Sequence, residues 1–114
     1  MHLTVSREPD LIAVTVSGRF DAHRVDEFDR RVVGLVDADR PHVYLDLSEV
    51  EFMDSSALAA LVRTLKATLA HAGSMTIVEV SDAVRIILEL TRLDEVFRVA
   101  GASQAARGRV AARV

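Results

Sequence analysis

Asp54-Ser55-Ser56 places a carboxylate and two hydroxyls between a strand-like apolar run and a helix-like apolar run, in the stretch FMDSSALAALV (52–62). At the start of a helix such a triplet has two uses. A Ser or Asp side chain can cap the helix by accepting one of its unpaired N–H groups. A hydroxyl there can also carry chemistry, because the same N–H groups and the helix dipole favour an anion. One residue suffices for the cap, which leaves two polar side chains to be explained. Asp21, Asp46, Ser81 and Asp82 are the other polar residues placed where strands give way to helices. Capping accounts for Asp21, Ser81 and Asp82. Asp46, between Tyr44-Leu45 and Leu47, needs backbone N–H partners or a role in a site, since an unpaired buried carboxylate is costly.

The elements that position these residues follow from hydrophobic periodicity. LTVS (3–6) and LIAVTVSG (11–18) alternate with a turn at Glu8–Asp10 between them, and read as an antiparallel hairpin. Gly18 is expected to end the second strand and Asp21 to cap a helix reaching about Val36, with Val25, Phe28, Val32 and Leu35 on one stripe. HVYLDLS (42–48) alternates as a strand, with Asp46 near its end. Leu58, Leu61, Val62, Leu65 and Leu69 mark a helix that Gly73 should close as a left-handed C-terminal residue. MTIVEV (75–80) is a strand, and Ser81 or Asp82 caps a helix carrying Val84, Ile87 and Leu88. VFRVA (96–100) is a short edge strand, and about 102–113 is a final helix weakened by Gly108.

The order is α/β: an N-terminal antiparallel hairpin, then a small, mostly parallel sheet with helices packed on it. In such sheets ligands favour the edge where strands end and helices begin. Asp21, Asp46, Asp54, Ser55, Ser56, Ser81 and Asp82 are therefore expected along one edge.

The 114 residues suit a single domain spanning 1–114, with a core of about 3–100. A net charge of −3 with 4 % aromatics argues against nucleic-acid binding. There is no cysteine, which excludes disulfides and thiol chemistry. No Gly-flanked nucleophile serine and no phosphate-binding glycine loop occurs. The four histidines lack ligand spacing, so neither a metal nor any other cofactor is expected. A phosphoaspartate receiver would need an acidic pair after its first strand and a lysine after its last, and neither is in a fitting place. MHLTVSREPD has no signal-peptide pattern, and Arg63 and Lys66 interrupt the longest apolar helix. A cytoplasmic protein without membrane insertion is the expectation. Arg107, Arg109 and Arg113 read as a solvated face.

LDLSEVEFMDSSALAALV (45–62) resembles the STAS domain family, and within it the bacterial anti-sigma factor antagonists. VSGRFDA (16–22) is similar to the end of that family's hairpin, and SDAVRIILELTRLDEVFRV (81–99) to its third helix and last strand. The resemblance implies a non-enzymatic switch. The dephosphorylated antagonist binds an anti-sigma factor and frees a sigma factor. The anti-sigma factor, an ATP-dependent serine kinase, phosphorylates the serine after the motif's aspartate and is thereby released, and a protein phosphatase resets the system. Carried over, the phosphorylated residue is Ser55, and Asp21, Asp46, Asp54, Ser56 and Ala57 belong to the partner-binding surface. Two positions depart from the family pattern: Ala57 stands where Gly is usual, and Arg19 where an acid is common. The resemblance also admits a STAS subunit that regulates a lipid ABC-type transporter by binding its ATPase without phosphorylation. An enzyme with Ser55 as nucleophile would need a base beside it, and the sequence offers none.

Overall fold

The computed structural model describes residues 1–100. Its strands are β1 (His2–Arg7), β2 (Leu11–Phe20), β3 (His42–Met53), β4 (Ser74–Val80) and β5 (Arg98–Val99); its helices are α1 (Val25–Arg31), α2 (Ser55–Ala70) and α3 (Asp82–Leu90). The sheet order is β1-β2-β3-β4-β5, with β1 antiparallel to β2 and every later pair parallel. The α/β arrangement read from the periodicity is the one observed. The expected helix at about 102–113 lies outside the described residues.

Alternation decides which strand residues are buried. Ile12, Val14 and Val16 of β2 share their register level with Val43 and Leu45 of β3 or with Leu3 of β1, and all are essentially inaccessible to water. Met75 and Ile77 extend this layer onto β4. Against it pack Phe28 and Val32, then Leu58 and Leu61 of α2, and Val84 and Leu88 of α3. Burying one such side chain is worth about 1.5–3 kcal/mol, so this one layer holds the helices against the sheet.

Four local expectations are corrected. Gly18 does not end β2. It sits inside the strand at φ +81°, next to a register shift between Gly18 and Arg19, and the strand continues to Phe20. A left-handed residue within a bulge is the usual reason for glycine in a strand. The third strand does not stop at 48 but runs to Met53, because residues Ser17–Phe20 of the lengthened β2 supply partners for Glu49–Met53. The first helix is shorter than expected: α1 ends at Arg31 and a 3-10 turn at Val33–Leu35 follows.

The fourth correction is at Gly73. The left-handed residue after α2 is Ala72, at φ 57°. The Ala72 N–H donates to Leu69 O and the Gly73 N–H to Thr68 O at 2.7 Å, the pair of bonds that closes a Schellman turn. Glycine is needed at 73 for space: a Cβ there would stand 1.8 Å from the carbonyl oxygen of Pro41.

Candidate functional site

The site is built where β2 and β3 run out together. Their last paired residues are Phe20 and Met53, both turned into the core. The Phe20 ring lies 4.8 Å from that of Phe28, which ties the end of β2 to α1. Both chains then turn, at Asp21 and Asp54, and the Asp54 carboxylate joins the two turns. Its Oδ1 accepts the Ala57 N–H at 3.0 Å and so caps α2. Its Oδ2 accepts the Ala22 N–H, also at 3.0 Å. Asp54 is thus both the helix cap and a clasp across 32 residues of sequence.

Asp21 does not cap α1, as its position suggested. Arg24 occupies the cap position, with no side-chain cap bond. The Asp21 Oδ1 instead accepts the His23 N–H at 3.1 Å, folding a tight turn between β2 and α1. The helix starts late because this turn, closed by the Arg24 N–H on Asp21 O, occupies the residues between.

Ser55 is the first residue of the sixteen-residue α2, and it is exposed. No hydrogen bond engages its hydroxyl among the described residues, and the N–H groups of Ser55 and Ser56 have no acceptor there either. Asp54 has taken over the capping, so Ser55 is spare. The first turn of α2 carries no acidic side chain. Ser56 is half-buried, and Ala57 is fully buried, so what Ala57 contributes at the site is its N–H.

The other sequence-predicted residues divide. Ser81 is a cap: its hydroxyl accepts the Val84 N–H at 3.2 Å and donates to Val50 O at 2.6 Å, fastening α3 to the extension of β3. Asp82 is the first residue of α3 and pairs with Arg85 at 2.6 Å. Asp46 is not at a strand end. It stands seven residues before Met53, and its Oδ1 accepts both the N–H and the hydroxyl of Ser48. The lengthening of β3 is what removes Asp46 from Asp54 and Ser55.

One part of the site was half visible in the sequence, which marked Arg19 as a departure from the family pattern but did not pair it with Phe52. Because β2 and β3 outrun β4, whose last pairing is Leu47 with Val80, they project as a two-stranded ribbon. On the face opposite Phe20 and Met53 the ribbon carries Arg19 paired with Phe52, the guanidinium 4.2 Å from the ring centroid. The signal available was the apolar set Val50, Phe52 and Met53 past Ser48, which falls out of strict alternation at the register shifts and which a strand ending at 48 leaves unused.

Among the described residues no group of His, Asp and Glu side chains could hold a metal, and no helix is long and apolar enough to cross a membrane.

The chain is thus a small α/β domain with an N-terminal antiparallel hairpin, an otherwise parallel sheet, and an exposed serine directly after a clasping aspartate. The STAS domain family model matches residues 2–106, and the chain belongs to that family. The anti-sigma-B factor antagonist of Staphylococcus aureus is 26% identical over 99 residues, covering 87% of this chain and 92% of its own. An anti-sigma factor antagonist from Mycobacterium paratuberculosis has a solved structure with a TM-score of 0.76 at 26% identity, covering 93% of this chain and 91% of that one. The Bacillus antagonist SpoIIAA shares the fold. Its unphosphorylated form superposes with a TM-score of 0.76 at 16% identity over 92% of this chain and 93% of its own. Its phosphorylated form gives 0.69 at 15% over 93% and 97%.

Proposed function

We propose that this protein is an anti-sigma factor antagonist that binds an anti-sigma factor in its unmodified state and releases it when Ser55 is phosphorylated. The observation that carries the reading is the spare Ser55 hydroxyl. It is exposed, it opens a long helix, and its capping duty has been taken by Asp54. The names of the related proteins supply the partner class.

A phosphate on Ser55 would add a charge of about −1.5 to −2 at physiological pH. Two backbone N–H groups at the start of α2 stand ready to meet it, and the helix dipole offsets it further. The domain itself therefore tolerates the modification. A partner packed on the same surface does not, because a like charge or an apolar patch brought against the phosphate costs several kcal/mol. About 2.7 kcal/mol is already a hundredfold loss of affinity. The switch works at the interface and leaves the fold in place. Asp54 and Asp21 hold the two turns that form that surface, Ser56 lies beside the acceptor, and a kinase and a phosphatase act on Ser55 in turn. No step requires this chain to be an enzyme.

The experiment is a titration of the partner with three chains. Ser55→Ala should bind as tightly as the unmodified protein and stay bound when ATP and kinase are present. Ser55→Glu should bind at least about tenfold more weakly with an unaltered thermal melt. Release of Ser55→Ala by ATP, or a Ser55→Glu chain that binds normally, contradicts the proposal.

A further inference from the structure

The Arg19–Phe52 pair takes no part in the cap, the clasp or the phosphate's N–H groups, and its geometry is that of a prepared contact. Arg19 and Phe52 face each other across the β2–β3 ribbon, one register step before the strands end at Phe20 and Met53. Asp21 and Asp54, joined through Ala22, follow immediately, and Ser55 is next in the chain. The pair is therefore continuous with the Ser55 surface. Phe52 keeps 38% of its surface exposed although it is a large aromatic residue. Core packing does not require it there, since Phe20 and Met53 already fill the inner face of the ribbon end.

The guanidinium is held but not used up. It stacks on the Phe52 ring at 4.2 Å. Its approach to Asp21 is through Nε at 3.7 Å, longer than a hydrogen bond, and the Arg19 side chain remains 62% exposed. No hydrogen bond engages it among the described residues. The ring contact biases where the guanidinium sits, and most of the side chain stays open to water. An arginine biased in this way has less rotamer freedom to lose on binding, and its planar fork matches a carboxylate with two parallel bonds. Aromatic and arginine side chains are also the residues that most often dominate protein interfaces.

Resting on the partner-switching reading, we propose that Arg19, seated on Phe52, is a specificity-determining contact for the anti-sigma factor, and that it receives a carboxylate from an acidic residue set among apolar groups on that partner. The charge at position 19 then selects the partner: a cognate anti-sigma factor presents an acid here, and one that presents a base is refused by like-charge contact.

The test is isothermal titration of the unphosphorylated full chain with the purified anti-sigma factor of the source organism, at two salt concentrations. Arg19→Ala and Phe52→Ala should each weaken binding by about tenfold or more, and Arg19→Glu by about a hundredfold. Arg19→Lys should not restore full affinity, because an ammonium lacks the planar fork. The affinity of Arg19→Ala should fall less steeply with salt than that of the unaltered chain. Arg19→Ala and Arg19→Glu chains that bind within about twofold of the unaltered protein, at unchanged melting temperature, overturn the inference. Ser55→Glu is run in the same series and reports on the switch separately. Weakening by Ser55→Glu alone refutes the Arg19 contact and keeps the switch; weakening by the Arg19 variants alone supports the contact and refutes the switch.

Discussion

Replacing Asp54 should damage the fold as well as the interface, and the size of the damage follows from its two hydrogen bonds. Oδ1 caps α2 through Ala57, and Oδ2 holds the β2–α1 turn through Ala22. Removing an Asp cap costs about 0.5–2 kcal/mol. A hydrogen bond to a charged acceptor is worth about 1.5–3 kcal/mol, less here because the Ala22 bond is solvent-exposed and the freed N–H can be taken up by water. Asp54→Ala should therefore lose about 2–3 kcal/mol, a large share of the stability of a small domain. Asp54→Asn separates the two parts. Asn caps a helix about as well as Asp, but its amide has one acceptor oxygen, so an N–H group would then face the Ala22 N–H. The expected cost is about 1–2 kcal/mol, all of it from the clasp. Urea unfolding followed by circular dichroism measures both, read as a fall in midpoint at constant slope. If Asp54→Ala unfolds within about 0.5 kcal/mol of the unaltered protein, the carboxylate is not carrying either bond. If Asp54→Asn matches the unaltered chain while Asp54→Ala does not, the cap is real and the clasp is not.

Three further outcomes test the framework around the site. Leu61→Ala should destabilise by about 2–5 kcal/mol in the same urea assay, because Leu61 is fully buried in the helix–sheet layer. Gly73→Ala should cost about 1–3 kcal/mol or more, since its methyl would collide with the Pro41 backbone; a normal melting temperature would mean that the α2–β4 turn can move away. Ala72→Gly should stabilise by about 1 kcal/mol, raising the melting temperature, because Ala72 pays the steric cost of a left-handed φ that glycine avoids.

What was legible in the sequence was set by periodicity, and what was missed was set by partners far along the chain. The alternation in β2 and β3 and the apolar stripe of α2 are local signals, and they placed the sheet, the helix and a cap somewhere among Asp54, Ser55 and Ser56. The length of β3 is not local. Glu49–Met53 is a strand only because β2 passes through the bulge at Gly18 and reaches Phe20 beside it. From that one misplaced strand end came the expectation that Asp46 lies beside Asp54 and Ser55, and the failure to pair Arg19 with Phe52. Asp21 failed as a cap for a related reason. An Asp can fold a turn on itself or cap a helix, and the choice depends on where the clasp from Asp54 holds the next residue. At the end of α2 a glycine was read as a conformational device, whereas Pro41, 32 residues upstream, makes it a spatial one.

The measurement that bears most directly on the switch is phosphate mapping joined to partner release. The unaltered protein, bound to its anti-sigma factor, is given ATP, and the free and bound fractions are separated and analysed by intact mass and by peptides spanning 41–63. The account predicts one phosphate, on Ser55, confined to the free fraction, while a Ser55→Ala complex stays intact under the same conditions. Phosphate on another residue, or release of the Ser55→Ala chain by ATP, would contradict it.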